Sequence, residues 1–336
     1  MVKHLILYSL ILFLSGNVYA QEKKNLLATA SMFKDMAEAI VGDRLNVETI
    51  VPIGSDPHLH EPTPRDARLV VDANLILMNG LTFEGWLNEL VENSGTKAKS
   101  ILITTGVNAI ASEDYKNSFD PHAWMDAKNG LVYIKNIYDA VIQLAPEYKD
   151  EFTFNYNAYK KDLEDLDSYI KKEIEKIPAK QRVLITSHDA FQYYGRAYGI
   201  QLESIIGVST EAQAQTSDII RLNKIIRESQ VPAVFIESTI NPKLLEQLAE
   251  DNDIKIGGKL FADSLNDQGK EADTYIDMLK YNTDVIVAAL SQLKKDNEKK
   301  ETESGGGHSL ILYLVIGAIL VGGFLILMKS INKNAE

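Results

Sequence analysis

Along residues 25–105, and again along 182–261, short apolar runs alternate with stretches whose apolar residues recur every three or four positions. The runs are NLLATA, LNVETIV, NLILMNG and SILITT in the first half, and RVLITS, LESIIG, PAVFIES and IKIGGKLF in the second. Short runs of this kind predict buried strands. Their alternation with helical periods predicts parallel β-sheets flanked by helices, an α/β fold. No short tandem repeat accompanies them.

One segment breaks the rhythm. Residues 149–177 contain no Gly and no internal Pro, and Phe152, Tyr156, Tyr159, Leu163, Leu166, Ile170, Ile174 and Ile177 recur at steps of three and four. That predicts one amphipathic helix about 40 Å long. A coiled-coil dimer is the rival reading. About four heptads placed between two βα halves is better explained as an internal strut that joins them as a single stiff element.

The two ends follow other patterns. Residues 1–20 place Lys3 and His4 ahead of an apolar run that finishes Val18-Tyr19-Ala20, the form of a secretory signal cleaved before Gln21. Residues 309–328 are uncharged and almost wholly apolar, and at about 1.5 Å per residue they reach about 30 Å, enough to cross a bilayer. Lys329 and Lys333 follow, which favours a cytoplasmic tail at 329–336. Between the globular part and this helix, residues 294–308 are charged and then Gly-rich, a tether by composition. The expected organisation is therefore a signal peptide (1–20), a first α/β lobe (21–148), a linking helix (149–177), a second lobe (178–293), a linker (294–308), a transmembrane helix (309–328) and the tail. The protein is expected to be exported and held at the outer face of the cytoplasmic membrane.

Composition narrows the chemistry. The net charge of -12 argues against nucleic acid as a partner. The sequence has no cysteine, so it can form no disulfide, offers a metal no thiolate, and cannot carry a thioether lipid. It has only six histidines, and three of them follow strands or sit on comparable loops. His58 lies in GSDPHLHEP, His122 in FDPHAWMD and His188 in TSHDAFQYYG, while Asp263 follows the last strand in FADSLND. In open α/β sheets, ligands bind beyond the carboxyl ends of strands, and these four fall there or, for His122 after an irregular polar stretch, on a comparable loop. Three imidazoles and a carboxylate suit Zn²⁺, or Mn²⁺ if the carboxylate binds through both oxygens. Asp-Pro-His occurs twice, at 56–58 and 120–122. Proline fixes its own φ and extends the residue before it, so each histidine is delivered on a stiffened loop.

These segments, with GVSTEAQAQTSDI and KLFADSLNDQGKEADTYIDML, resemble in order the signatures of the metal-binding solute receptors of ABC importers, the zinc and manganese cluster A-I (TroA-like) family. The likeness covers about 25–293. It implies two α/β lobes bridged by one long rigid helix, a metal held between them by His58, His122, His188 and Asp263, and delivery to a permease and its ATPase. It also implies a binding protein, not an enzyme, and a monomer is expected. Dedicated manganese members typically carry Glu at the position of His188, and dedicated zinc members often carry a His-rich loop that AIASEDYKNSFD lacks, so the transported ion stays open. A metallohydrolase is the alternative, with Glu61 or Glu211 as general base, but four protein ligands would close the coordination sphere. A surface adhesin is the other, and no large apolar or aromatic patch points to it. His58 and His60 would point the same way on an extended segment. The second motif repeats only the first histidine, so His58 is expected to bind and His60 to lie at the rim. Whether His60 or Glu237 helps to hand the metal on stays open.

Overall fold

The computed structural model describes residues 22–112, 118–208, 210 and 214–291. The expected signal peptide (1–20), tether (294–308), transmembrane helix (309–328) and tail (329–336) lie outside the described residues. Among the described residues no helix is long and apolar enough to cross a membrane.

All eight apolar runs form strands. In the first half β1 (Asn25–Ala28), β2 (Asn46–Thr49), β3 (Leu75–Met78) and β4 (Lys99–Leu102) make one parallel sheet in the order β2-β1-β3-β4. The central strands are buried on both faces, which is why they read as unbroken apolar runs. Leu26 and Leu77 face the main core with α1 (Ser31–Val41) and α4 (Ala127–Leu144). Leu27 and Ile76 face a smaller cluster with Val70 of α2 (Pro64–Asp72) and Leu87 of α3 (Leu87–Ser94). The chain leaves β1 towards β2 on one side and returns to β3 on the other, so the strand order reverses beside β1, where such sheets take their ligands.

The second half pairs β5 (Val183–Thr186) with β6 (Gln201–Ser204), and β7 (Ala233–Glu237) with β8 (Lys255–Leu260), both parallel, with β5 packed beside β7. Helices α6 (Gln192–Tyr198), α7 (Thr216–Ser229), α8 (Lys243–Asp251) and α9 (Tyr275–Leu290) complete it. Gly257 lets α9 lie flush on β8: a Cβ there would sit 2.6 Å from the Phe235 ring and 2.8 Å from Ala289.

The strut forms as α5, Lys149–Ile174. It stops three residues short of the expected end. Pro178 disfavours helix at the residue before it, and the chain closes instead through Ile177 N donating to Ile174 O at 3.0 Å. Phe152, Leu163, Leu166, Ile170 and Ile174 are buried along one stripe against α1 and α4 of the first half and α9 of the second. The apolar face is thus satisfied within the chain, which removes the reason for a coiled-coil partner.

Candidate metal centre

The loops leaving β2, β5 and β8 at their carboxyl ends carry His58, His188 and Asp263 to one point, and the turn before α4 brings His122. One donor atom from each of the four lies within 4.8 Å of all the others. His122, His188 and Asp263 are buried and the His58 side chain is nearly so.

Each histidine is held by a carboxylate. Asp56 Oδ1 accepts the backbone N–H of His58 at 2.9 Å, and Asp120 Oδ1 accepts that of His122 at 2.9 Å. Both are Asx turns, with the proline between fixing the bend. Asp120 Oδ1 also lies 2.7 Å from His122 Nδ1. Glu237, the buried last residue of β7, does the same for His188 from a different strand: Oε1 accepts its backbone N–H at 2.9 Å and Oε2 lies 2.8 Å from Nδ1, off the line of a hydrogen bond. In His122 and His188 a carboxylate thus stands behind Nδ1 and Nε2 is the nitrogen left to face inward, the arrangement that orients metal-binding imidazoles.

The inward atoms are close and poorly satisfied. His58 Nε2 is 3.2 Å from His122 Nε2, and Asp263 lies 3.1 Å from His188 Nε2, 3.5 Å from His122 Nε2 and 3.9 Å from His58 Nε2. Donors about 2.0–2.1 Å from a tetrahedral zinc stand about 3.4 Å apart, inside this range. Neither oxygen of Asp263 nor Nε2 of His188 has a hydrogen-bond partner although all are buried. Leaving such groups unpaired is costly, and a cation at the centre would satisfy all of them at once. One Asp263 oxygen faces His122 and the other faces His58 and His188, so two-point binding is also open to a larger ion.

The electrostatics set these groups apart. Burial, with the neighbouring His122 and His188, lowers the His58 pKa to about 3 against the opposing pull of Asp263, so this imidazole is neutral and free to coordinate. Burial would lower His188 too, but Glu237 and Asp263 outweigh it and hold it well above the usual range. Asp263 stays ionised: burial raises its pKa, and His188, His122 and His58 together bring it well below the ordinary value.

His60 goes elsewhere. Its Nε2 lies 3.1 Å from Asp66 Oδ2 and its ring packs on Trp86 at 4.7 Å. Asp66 closes the capping box of α2 with Thr63, so His60 belongs to that cap. His60 and Glu61 share with His58 a surface cavity of about 490 Å³ beside the cluster. The holding roles of Asp56, Asp120 and Glu237 were not legible from spacing; the Asx signal, Asp two residues before each motif histidine, could have given the first two.

Residues 26–289 match the family model described as zinc-uptake complex component A, periplasmic. The manganese-binding lipoprotein MntA of Halalkalibacterium halodurans is 35% identical over 271 residues, 81% of this chain and 90% of that one. The manganese ABC transporter substrate-binding lipoprotein PsaA of Streptococcus pneumoniae is 35% identical over 279 residues, with the same two shares covered. Among solved structures, the periplasmic zinc-binding protein TroA of Treponema pallidum superposes with a TM-score of 0.77 at 34% identity, over 80% of this chain and all of that one.

Proposed function

The chain belongs to the zinc-uptake complex component A family, and on that footing we propose that it captures a divalent transition metal, Zn²⁺ or Mn²⁺, between its two lobes and delivers it to an ABC permease for import. One observation carries this reading above the rest: three imidazole nitrogens and a carboxylate converge in a buried site where both carboxylate oxygens lack partners. His58, His122, His188 and Asp263 are the ligands in this reading. Four protein donors leave no coordination position for an activated water, which separates a carrier from a hydrolase. The histidine-rich set favours Zn²⁺ by intrinsic affinity, while a carboxylate open through both oxygens accommodates Mn²⁺. Metal analysis of protein purified without added metal, followed by Zn²⁺/Mn²⁺ competition, tests it. Protein that holds neither ion, and gains no thermal stability from either, would refute the capture role.

We further propose that residues 309–328 anchor this receptor in the membrane that houses the permease, with 21–148 and 178–293 as the lobes and 294–308 as tether. Supporting this, the two relatives above are named lipoproteins, whereas these 336 residues contain no cysteine to bear a lipid. Removing 309–336 should release the receptor into the aqueous fraction with unchanged metal affinity. Truncated protein that still sediments with membranes after a carbonate wash would place the anchor elsewhere.

A further inference from the structure

The four donors come two from each half of the sequence, but the hydrogen bonds divide them differently. Up to Phe261 the chain is bonded to its own lobe: Ser238 N donates to Leu260 O at 2.9 Å, and Asn282 of α9 grips both backbone groups of Phe261, at 3.0 and 2.7 Å. From the next residue the partners change. Ala262 O accepts the indole N–H of Trp124 at 2.9 Å, Ser264 Oγ accepts Gly54 N–H at 2.7 Å, and Leu265 N–H donates to Ser31 Oγ at 2.9 Å. All three partners lie in the first lobe, on the loops and helix that surround His58 and His122. The seam continues at the start of α9, where Tyr275 N–H donates to Asp35 of α1 at 2.9 Å. Asp263 is therefore flanked on both sides by bonds to the lobe it does not belong to in sequence.

His188 shows the opposite pattern. Ser187 O accepts from Ile206 N at 3.1 Å, His188 N–H donates to Glu237, and Asp189 N–H donates to Gly207 O at 3.3 Å, all within the second lobe. The bonds that cross from this region start further on, in α6, through long side chains such as Tyr193, whose hydroxyl donates to Asp120 O at 2.8 Å. They do not fix the His188 backbone.

We propose that the Asp263 loop, residues 262–265, is mechanically part of the first lobe, so that the site opens three against one. His58, His122 and Asp263 stay assembled as the lobes part, and His188 withdraws with the second lobe as the last ligand on and the first off. Trp124 is the positioning residue of this arrangement, since it stands two residues after His122 and holds the carbonyl immediately before Asp263. This rests on the capture reading above and says how that capture is released. Three donors on one frame would keep hold of an ion that the fourth has let go, so handover needs a competing acceptor and not lobe opening alone.

The absence of cysteine makes the test direct, because paired labels need no background changes. Asp72, Gln268 and Glu246 are exposed, on the first lobe, the Asp263 segment and the second lobe respectively. Spin labels on Asp72→Cys/Gln268→Cys and on Asp72→Cys/Glu246→Cys report the two distances with zinc bound and after chelation. The expected result is a 72–268 distance constant to about 1 Å while the 72–246 distance changes by more. A 72–268 distance that follows 72–246, or no change in either, overturns the proposal. Trp124→Phe should broaden the 72–268 distribution and raise the zinc dissociation rate about tenfold; neither effect would remove Trp124 from the role. Zinc bound by the unlabelled wild-type protein is scored separately. Failure there refutes the capture reading and this one together, whereas normal binding with coupled distances refutes only the three-against-one division.

Discussion

Asp35→Asn should stabilise this protein at neutral pH and do nothing for it in acid. Asp35 sits on α1 at the seam between the lobes, where Oδ2 accepts Tyr275 N–H at 2.9 Å and the Tyr159 hydroxyl at 3.3 Å. Burial raises its pKa from 3.8 to about 6, against the lowering effect of those two donors. Because the folded value lies above the unfolded one, the carboxyl favours folding fully below about pH 3.8, and the advantage is lost as pH rises through 6. Above that, the native state carries a half-buried charge. The interval between 3.8 and about 6, at about 1.4 kcal/mol per pH unit, puts the cost near 3 kcal/mol at most. Asparagine keeps an acceptor for both donors and removes the charge. Urea unfolding of metal-free protein, which keeps metal linkage out of the comparison, should show Asp35→Asn more stable by about 1–3 kcal/mol at pH 7.5 and matched to wild type near pH 4. A variant less stable at both pH values by the same amount would refute the reasoning. It would mean that the carboxylate holds the seam by its charge.

Three other outcomes are expected. His58→Ala should weaken zinc binding by several orders of magnitude, while His60→Ala changes it less than about tenfold and instead costs about 1–2 kcal/mol of stability through the lost bond to Asp66; equal losses of affinity would make both histidines ligands. The rise in melting temperature produced by zinc should shrink as pH falls, because His188, held well above the usual range by Glu237 and Asp263, must give up its proton to bind while His58 is already neutral, and a rise of the same size at pH 7.5 and pH 4.5 would place His188 away from the metal. His188→Glu should move the Zn²⁺/Mn²⁺ competition towards Mn²⁺, since carboxylate oxygen suits the harder ion; an unchanged ratio would place residue 188 away from the metal.

Strand positions and the long helix were legible because they depend on local periodicity, which a buried strand or an amphipathic helix imposes residue by residue. The order of the strands, and the fact that β5 and β6 pair apart from β7 and β8, depended on packing across the whole chain and left no local trace. The seam between the lobes was hidden for the same reason. Ser31 meets Leu265, Asp35 meets Tyr275 and Trp124 meets Ala262, pairs far apart in sequence that no local pattern joins. The expected division of the sequence at the linking helix follows chain order, whereas the hydrogen bonds of the Asp263 loop run to the half on the other side of that helix.

The repeated Asp-Pro-His shows why a motif can point to a site without counting its ligands. What the repeat encodes is a loop shape: in both copies the aspartate takes the histidine N–H two residues on, and proline holds the bend between. His188 has no such motif, since TSHDAF offers no aspartate before it, yet it has the same backing from Glu237 on another strand. The common feature is a carboxylate that takes the backbone N–H of each histidine, and for His122 and His188 the same carboxylate also stands behind the imidazole at Nδ1 and leaves Nε2 towards the centre. When that carboxylate is local the sequence displays it; when it arrives from a neighbouring strand the sequence conceals it. The same rule separates the two histidines of DPHLH. The carboxylate of His58 is Asp56, at its backbone, and leaves Nε2 free. That of His60 is Asp66, which takes Nε2 itself and fixes it to the cap of a helix, so His60, two residues past the proposed ligand His58, has its Nε2 already engaged.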